Sequence, residues 1–376
     1  MNHILRMGVV ADDVTGANDI GSMFAMADYL THVYPVQPDG SYAFAPEKPQ
    51  PNICILDTNS RLDAPQQAYA KAASATRLLQ AAGCNQFFHK TCSVFRGNIG
   101  AEFDAMLDVL AEPFAVVVLG FPKNGRTTIN GSHFVRGIPL AESEFKNDPI
   151  HPMMQSNLVD ILQGQTERVV KSLTHQAVSQ GAAALRHEIE AMKSVCSYLI
   201  LDVKDQAALS TIAAAVHDLP VLCGSSALAE ELPAVWGAPR PTSRRRWVPP
   251  PSGQGVFCVA GSLMPQTLAQ IEYLRQQGTA VFTIQPATLF NETERQTAVD
   301  LLAADICQQL LAGRHVVFHA PHQPAQVAHT RQLGAGQGLG KTAVAQLVSQ
   351  TVADVAGLVV EGSGQNRLVV AGGETS

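Results

Sequence analysis

Two aspartates, Asp12 and Asp13, stand side by side where the apolar run MGVVA gives out, and Thr15, Gly16, Asn18 and Asp19 follow. Adjacent carboxylates repel each other, so a pair at a strand end calls for an offsetting partner: a metal, a sugar hydroxyl or other ligand, or a helix terminus. Three further polar groups follow apolar runs: Asp57, Asn59 and Arg61; Lys90, Ser93 and Arg96; Lys123, Asn124 and Arg126. Carboxylates mixed with cations suit a hydroxylated anionic substrate. Nearer the carboxyl end the groups change character. Ala260–Ser262 (AGS), His319–His322 (HAPH) and Ala371–Ser376 (AGGETS) offer mainly glycine and hydroxyl. Backbone N–H groups reach a phosphate chain where no Cβ intervenes, so this half suits a phosphate ligand. Each group also has a plainer reading. Asp13 or Asn18 could be only a helix N-cap, Lys90–Glu102 only strand, loop and cap, and NGRTTING only a turn-rich loop.

The elements that would position these residues alternate. Short β-branched runs (MGVVADD, NICILDT, QFFHKTCS, FAVVVLGF, YLILDV, PVLCG) are separated by helical stretches, including Asn18–Leu30 and APQQAYAKAASATRLLQAAG. Strands spaced by helices predict βαβ units and a parallel sheet, and ligands of such sheets bind beyond the carboxyl ends of the strands. From Pro122 to about Pro152 the sequence is rich in Gly, Asn and Pro and predicts a long irregular segment. Gly237–Gly255, rich in Pro, Ser and Arg, can form neither helix nor central strand and reads as a linker. The alternation then restarts with VFCVAGS and runs to RLVVAGGETS. The expected fold class is therefore α/β, two doubly wound and mainly parallel-sheet domains with an interdomain cleft. Their expected spans are residues 1–236, a linker at 237–255, and residues 256–376. The final Gly-Gly-Glu-Thr-Ser turn should lead into a helix, so a disordered or removed tail is expected after it.

Composition narrows the function. Of 376 residues, 46% are hydrophobic and 15% charged, which suits large buried sheets and opposes global disorder. A net charge of −6, with SRRRW as the one basic block, opposes nucleic-acid binding. The seven cysteines include no C-x-x-C pair, which points to a reducing, cytoplasmic setting rather than a disulfide or zinc scaffold. The amino terminus lacks the apolar stretch of a signal peptide, and contiguous apolar runs fall short of the ~20 residues of a membrane span. AGQGLGKT fits a loose P-loop pattern, but polar residues rather than a buried strand precede it, so an ordinary loop with Lys341 at a helix start is expected. No dinucleotide-binding glycine fingerprint follows the first strand, no G-x-S-x-G elbow occurs, and the spacing of His319, His322 and His329 lacks further ligands for zinc.

Taken together and in order, ADDVTGANDIG, KTCSVFRGNIGAE, FPKNGRTTINGSHFVRGIPLAESEFKNDPIHPM, CGSSALA, GSLMPQTLAQI and AGGETS resemble the four-carbon acid sugar kinase family. The resemblance spans nearly the whole chain. It implies a sugar-acid-binding α/β domain followed by a nucleotide-binding α/β domain, and ATP-dependent phosphorylation of the terminal hydroxyl of D-threonate, D-erythronate or 3-oxo-tetronate. It further implies that Asp12, Asp13, Lys90, Ser93, Arg96, Asn124 and Arg126 form the sugar-acid site. Ser262, Gly372, Gly373, Glu374 and Thr375 match the nucleotide motifs and would seat the ATP phosphates with Mg²⁺. Cys92 resembles the 3-oxo-tetronate branch, whereas FRGN without an insertion resembles the other. Phosphoryl transfer asks a protein mainly for positioning, charge neutralisation and a proton acceptor. Asp12 or Asp13 is expected as that base, with Lys90, Arg96 and Arg126 on the carboxylate and the transferring phosphoryl. The expected partners are the acid and ATP, with no nucleic acid or membrane and with a homodimer open. Two other classes stay open: a non-catalytic sugar-acid sensor, and an NAD(P)-dependent hydroxyacid dehydrogenase.

Overall fold

A computed structural model describes residues 6–37, 39–44, 51–148, 150–237, 255–261 and 264–372. The proposed linker lies almost wholly outside the described residues, as do Ser262, Gly373, Glu374 and Thr375. The chain divides into two compact units, Met1–Arg244 and Arg245–Ser376.

The first unit opens with β1 (Met7–Ala11), α1 (Val14–Met26), β2 (Thr31–Pro35), β3 (Ile53–Asp57), α2 (Pro65–Ala81) and β4 (Gln86–Lys90). There follow α3 (Ile99–Leu110), β5 (Ala115–Val118), β6 (Arg126–Ile129), β7 (Ser132–Val135) and β8 (Ile138–Pro139). It closes with α4 (Leu158–Gln163), β9 (Val170–Leu173), α5 (His175–Val178), α6 (Ala182–Met192), β10 (Tyr198–Leu201), α7 (Gln206–Val216), β11 (Val221–Gly224) and α8 (Ala227–Trp236). Eight strands form one parallel sheet in the order β2-β3-β1-β4-β11-β5-β10-β9. The order reverses direction between β1 and β4, the switch point beyond which such sheets hold ligands.

Side chains of the inner strands are buried on both faces, which explains near-continuous apolar runs instead of alternation. On β1, Met7, Val9 and Ala11 join Ala17, Ile20 and Phe24 of α1 and residues of α5 to α8 in one core. Full burial of each large aliphatic side chain contributes roughly 1.5–3 kcal/mol. The helix α1 begins at Val14, not near Asn18 as expected, because Asp13 caps it.

The segment from Pro122 corrects the irregular reading. It folds as a three-stranded antiparallel sheet, β6-β7-β8, with short 3-10 turns around it. Asn130 and Gly131, at φ +50 and +76, form the two-residue turn that antiparallel strands prefer. Gly125 and Gly137 supply the neighbouring left-handed turns at φ +69 and +79.

The second unit contains β12 (Phe257–Ala260), α9 (Pro265–Gln276), β13 (Ala280–Thr283), α10 (Glu292–Leu311), β14 (Val316–His319), α11 (Pro324–Gly336), α12 (Lys341–Ser363) and β15 (Leu368–Ala371). Its sheet is also parallel, in the order β13-β14-β12-β15. The chain is therefore α/β in both units. Ala335 and Gly336 of AGQGLGKT end α11 and Lys341 starts α12, so no strand feeds this loop and it is no P-loop. The helix α12 is long and apolar enough by composition to cross a membrane, at a mean hydropathy of 1.5. Its Val352, Val355 and Val359, at helical spacing, pack into the core that α10 lines with Val299, Ala303 and Ile306.

Candidate active site

The carboxyl ends of β1, β3 and β4 lie side by side, because Ala11 is registered with both Asp57 and Lys90. That register gathers the first three groups singled out in the sequence. Asp12 is fully buried, and the Arg61 guanidinium grips it through Nε at 2.9 Å and Nη2 at 2.8 Å. Arg61 Nη1 also pairs with Asp13 Oδ2. One cation thus offsets both aspartates, and this is the partner their repulsion demanded. Asp13 has a second duty: its Oδ1 accepts the Gly16 N–H at 2.7 Å and caps α1. The plainer reading of Asp13 is therefore correct in part, and the cap coexists with the ion pair.

Lys90, 4% exposed, lies across the start of α1 and donates to the Thr91 carbonyl at 3.0 Å. A Cβ on Gly16 would come within 2.6 Å of Asp13 Oδ1 and 2.9 Å of Lys90 Nζ, so a larger residue there would displace the ends of these side chains. Asp57, buried beside the pair, accepts the Asn59 N–H at 2.9 Å. Burial, reinforced by the negative charges of Asp13 and Asp12, pushes its carboxyl up to about 6 against the opposing pull of Asn59 and Arg61.

Cys92, Arg96 and Arg126 continue the site. Arg96 Nε donates to Cys92 Sγ at 3.5 Å, and its Nη1 pairs with Asp148 at 2.6 Å. Burial acts to raise the Cys92 thiol, but Arg96 and Arg61 beside it outweigh burial and hold the thiol below its ordinary value. The guanidinium groups of Arg96 and Arg126 both face the Phe145 ring, 5.5 and 5.9 Å from its centroid. Arg126 Nη1 donates to the Asn124 carbonyl at 2.9 Å, while its buried Nε has no hydrogen-bond partner. An unpartnered guanidinium N–H beside a second arginine is suited to an incoming carboxylate.

Ser93 is reached through its backbone, whose carbonyl accepts His133 Nε2–H at 3.0 Å. Burial above all drives His133 down to about 3, so the ring is neutral and its Nδ1, 3.1 Å from Thr128 Oγ1, accepts. This fixes the Ser93 loop to the β6-β7 hairpin. The Asn124 side chain is exposed, and only its carbonyl engages Arg126.

In the second unit, Gly372 follows β15 at φ +125, next to the end of β12, where the Gly261 N–H donates to the Ala371 carbonyl at 3.0 Å. His319 and His322 stand edge to face with ring centroids 4.5 Å apart. Among the described residues no cluster of three or more His, Cys, Asp or Glu could hold a metal ion.

Sequence reading singled out Arg61 as a strand-end residue without giving it a site role, and it left out Phe145 and Asp148. Arg61 carried a signal, since it is the one cation beside Asp57 and Asn59. Phe145 and Asp148 carried none, because only the hairpin and its turns bring them to the arginines.

Comparison with known proteins gives the family. Residues 7–232 match the model of a sugar-binding N-terminal domain, and residues 257–376 match that of a nucleotide-binding C-terminal domain. The chain is 32% identical to a 3-oxo-tetronate kinase of Pseudomonas fluorescens, over 98% of this chain and 84% of that protein. It is likewise 32% identical to the 3-oxo-tetronate kinase of Escherichia coli K12, over 99% of this chain and 94% of that protein. A crystal structure of a Salmonella typhimurium protein superposes with a TM-score of 0.74 at 26% identity, covering 98% of this chain and 86% of that one. A Haemophilus influenzae protein gives 0.63 at 27%, with 98% and 86% covered. Fold and matches define a two-unit α/β phosphotransferase. The chain belongs to the four-carbon acid sugar kinase family.

Proposed function

We propose that this protein transfers the γ-phosphoryl group of ATP to the terminal C4 hydroxyl of a four-carbon sugar acid, with 3-oxo-tetronate preferred to D-threonate or D-erythronate. The observation that carries the reading is the chain of groups Asp13, Asp12, Arg61, Cys92, Arg96 and Arg126 beyond the switch point of a unit that matches a sugar-binding domain. The relatives' name favours the 3-oxo acid.

In this reading residues 1–236 take the acid and residues 256–376 take the nucleotide. Arg96 and Arg126 hold the acid's carboxylate by charge-assisted hydrogen bonds, and Lys90, beside the α1 terminus, offsets charge on the transferring phosphoryl. As the C4 oxygen bonds to the γ-phosphorus and ADP departs, the hydroxyl proton passes to Asp12 or Asp13. Ser93 and Asn124 line the acid, while Ser262, Gly372, Gly373, Glu374 and Thr375 cradle the phosphates. Mg²⁺ would neutralise phosphate charge and be held mainly by the nucleotide's own oxygens, so no ligand from this chain is assigned. Seven free cysteines favour a cytoplasmic setting.

ADP release measured against a panel of four-carbon acids tests the reading. Acid-dependent ADP formation and a C4 phosphomonoester by ³¹P NMR are expected, and ADP release indifferent to every acid would overturn it. Asp12→Asn and Asp13→Asn separate the base from its neighbour. The base variant should lose about 10²–10⁴-fold in kcat with the KM for ATP little changed. Equal turnover by both variants removes the base assignment.

A further inference from the structure

Glu102 of α3 is fully buried behind the Asp12–Arg61 pair, and the family reading gives it no role. Its Oε1 lies 2.6 Å from Ser60 Oγ, Ser60 Oγ lies 2.7 Å from Thr58 Oγ1, and Thr58 Oγ1 lies 2.9 Å from the Ala11 carbonyl oxygen. Three oxygen–oxygen contacts at hydrogen-bond distance need three protons. The two hydroxyls supply two and the carbonyl none. The Thr58 proton must serve Ala11, since the carbonyl only accepts, and the Ser60 proton then serves Thr58. The contact between Ser60 and Glu102 is left to a proton on Glu102.

We propose that Glu102 is a positioning residue: a neutral carboxylic acid whose O–H heads this chain of donors and fixes the turn from which Arg61 grips Asp12. Other bonds share the turn: the Asn59 N–H donates to Asp57 Oδ1 at 2.9 Å, the Asp63 N–H to the Ser60 carbonyl at 3.0 Å, and Lys71 Nζ to the Asn59 carbonyl at 3.2 Å. Asn59 takes a left-handed φ of +44, the Ser60 and Arg61 N–H groups donate to the Asp12 carbonyl at 3.0 and 3.2 Å, and Asn98 Nδ2 donates to the Ser60 and Asp63 carbonyls at 3.2 and 2.8 Å. Asn98, the N-cap of α3, and Glu102 both belong to the RGNIGAE stretch, so the start of α3 supplies two of the side-chain supports of the Arg61 turn.

The surroundings agree with a proton on Glu102. The groups facing its carboxyl are Asp12 just after β1, Arg61 and Asp63 after β3, and His89 on β4. Asp63 is itself paired with Lys71 at 2.6 Å. Burial first, and Asp12 second, push Glu102 far above the usual carboxyl range, outweighing Ser60 and Arg61. His89 offers no compensating charge. Burial drives it down to about 3, its Nε2 lies 3.7 Å from Glu102 Oε2, and neither ring nitrogen has a hydrogen-bond partner.

Isotope-edited infrared spectroscopy of the protein labelled at its glutamate carboxyls reads the proton directly. A protonated-carboxyl C=O band at neutral pH that disappears in Glu102→Gln supports the proposal; absence of such a band overturns it. Turnover reads the positioning, and this part rests on the kinase reading above. Glu102→Gln, whose amide N–H can donate to Ser60 in place of the acid, should keep kcat within about threefold of wild type. Ser60→Ala, which cuts the chain, should lose about tenfold or more. A Glu102→Gln variant as impaired as Ser60→Ala overturns the positioning role. Should the wild-type protein phosphorylate no four-carbon acid, the kinase reading falls while the infrared band still decides where the proton lies.

Discussion

Arg61 and Asp12 form a buried two-point ion pair, Nε and Nη2 of the guanidinium on Oδ2 and Oδ1 of the carboxylate at 2.9 and 2.8 Å. Asp12 directly follows β1 and Arg61 lies in the turn after β3, so the β1–β3 register and the bonds that shape this turn bring them together. The same guanidinium reaches Asp13, so its removal leaves two carboxylates and the nearby Asp57 without their cation.

Arg61→Ala should therefore destabilise the first unit by about 3–5 kcal/mol, since a broken buried pair leaves uncompensated charge. Arg61→Lys should recover only part of that, because an ammonium cannot reproduce the planar two-point contact. Urea unfolding of the three proteins measures both effects. A loss below 1 kcal/mol in the alanine variant would show that solvent, not Arg61, balances the aspartates.

Asp57 predicts a pH dependence of opposite sign to an ordinary salt-bridged carboxylate. Its carboxyl is raised in the folded protein from 3.8 to about 6, so the folded state binds the proton more tightly than the unfolded chain. Its contribution is fully present below the unfolded value and is lost as pH rises through about 6. The loss amounts to about 2–3 kcal/mol. Asp57→Asn, which keeps an acceptor for the Asn59 N–H, should flatten that part of the profile. Melting temperatures of both proteins across the window provide the measurement.

Cys92 should be the first cysteine to react with iodoacetamide at neutral pH. It is partly exposed and its thiol is lowered, whereas burial raises Cys196, Cys223, Cys258 and Cys307 and the Cys54 thiol foremost raises Cys84. Cys54 is also lowered, by the thiol of Cys84, but is 1% exposed. Peptide mass spectrometry should find Cys92 alkylated about tenfold faster than the others. Bound sugar acid should slow that reaction.

Arg126→Ala should raise the KM for the acid by about 10–100-fold and leave the KM for ATP near its original value. Steady-state kinetics with each substrate varied in turn separates the two. A rise confined to the ATP constant would place Arg126 on the nucleotide instead.

Much of this organisation was legible in the chain. Short apolar runs before Asp12, Asp57 and Lys90 mark β1, β3 and β4, since a strand buried on both faces reads as a continuous run. The change from cation–carboxylate groups to glycine turns separated the two halves. The β6-β7-β8 hairpins were also written there, as Asn-Gly and Arg-Gly at six-residue intervals, and were read as irregular because glycine and proline counts hid the turn geometry. The site was legible only as a set of strand ends. Arg61 carries no mark that distinguishes a cation gripping two aspartates from one waiting for substrate.

By itself, the sequence determined the alternation of elements, the parallel sheets and the polar residues stationed at strand ends. All of these follow from local periodicity and the known side on which parallel sheets hold ligands. Only the tertiary structure decided which of those residues meet and in what protonation state. Asp12, Arg61, Cys92 and Arg96 converge through strand order, Phe145 joins them through the β6-β7-β8 hairpins and their turns, and the proton on Glu102 follows from burial and hydroxyl count. Contacts between distant segments and loss of solvent are properties of the packed chain, and no short stretch of residues encodes them.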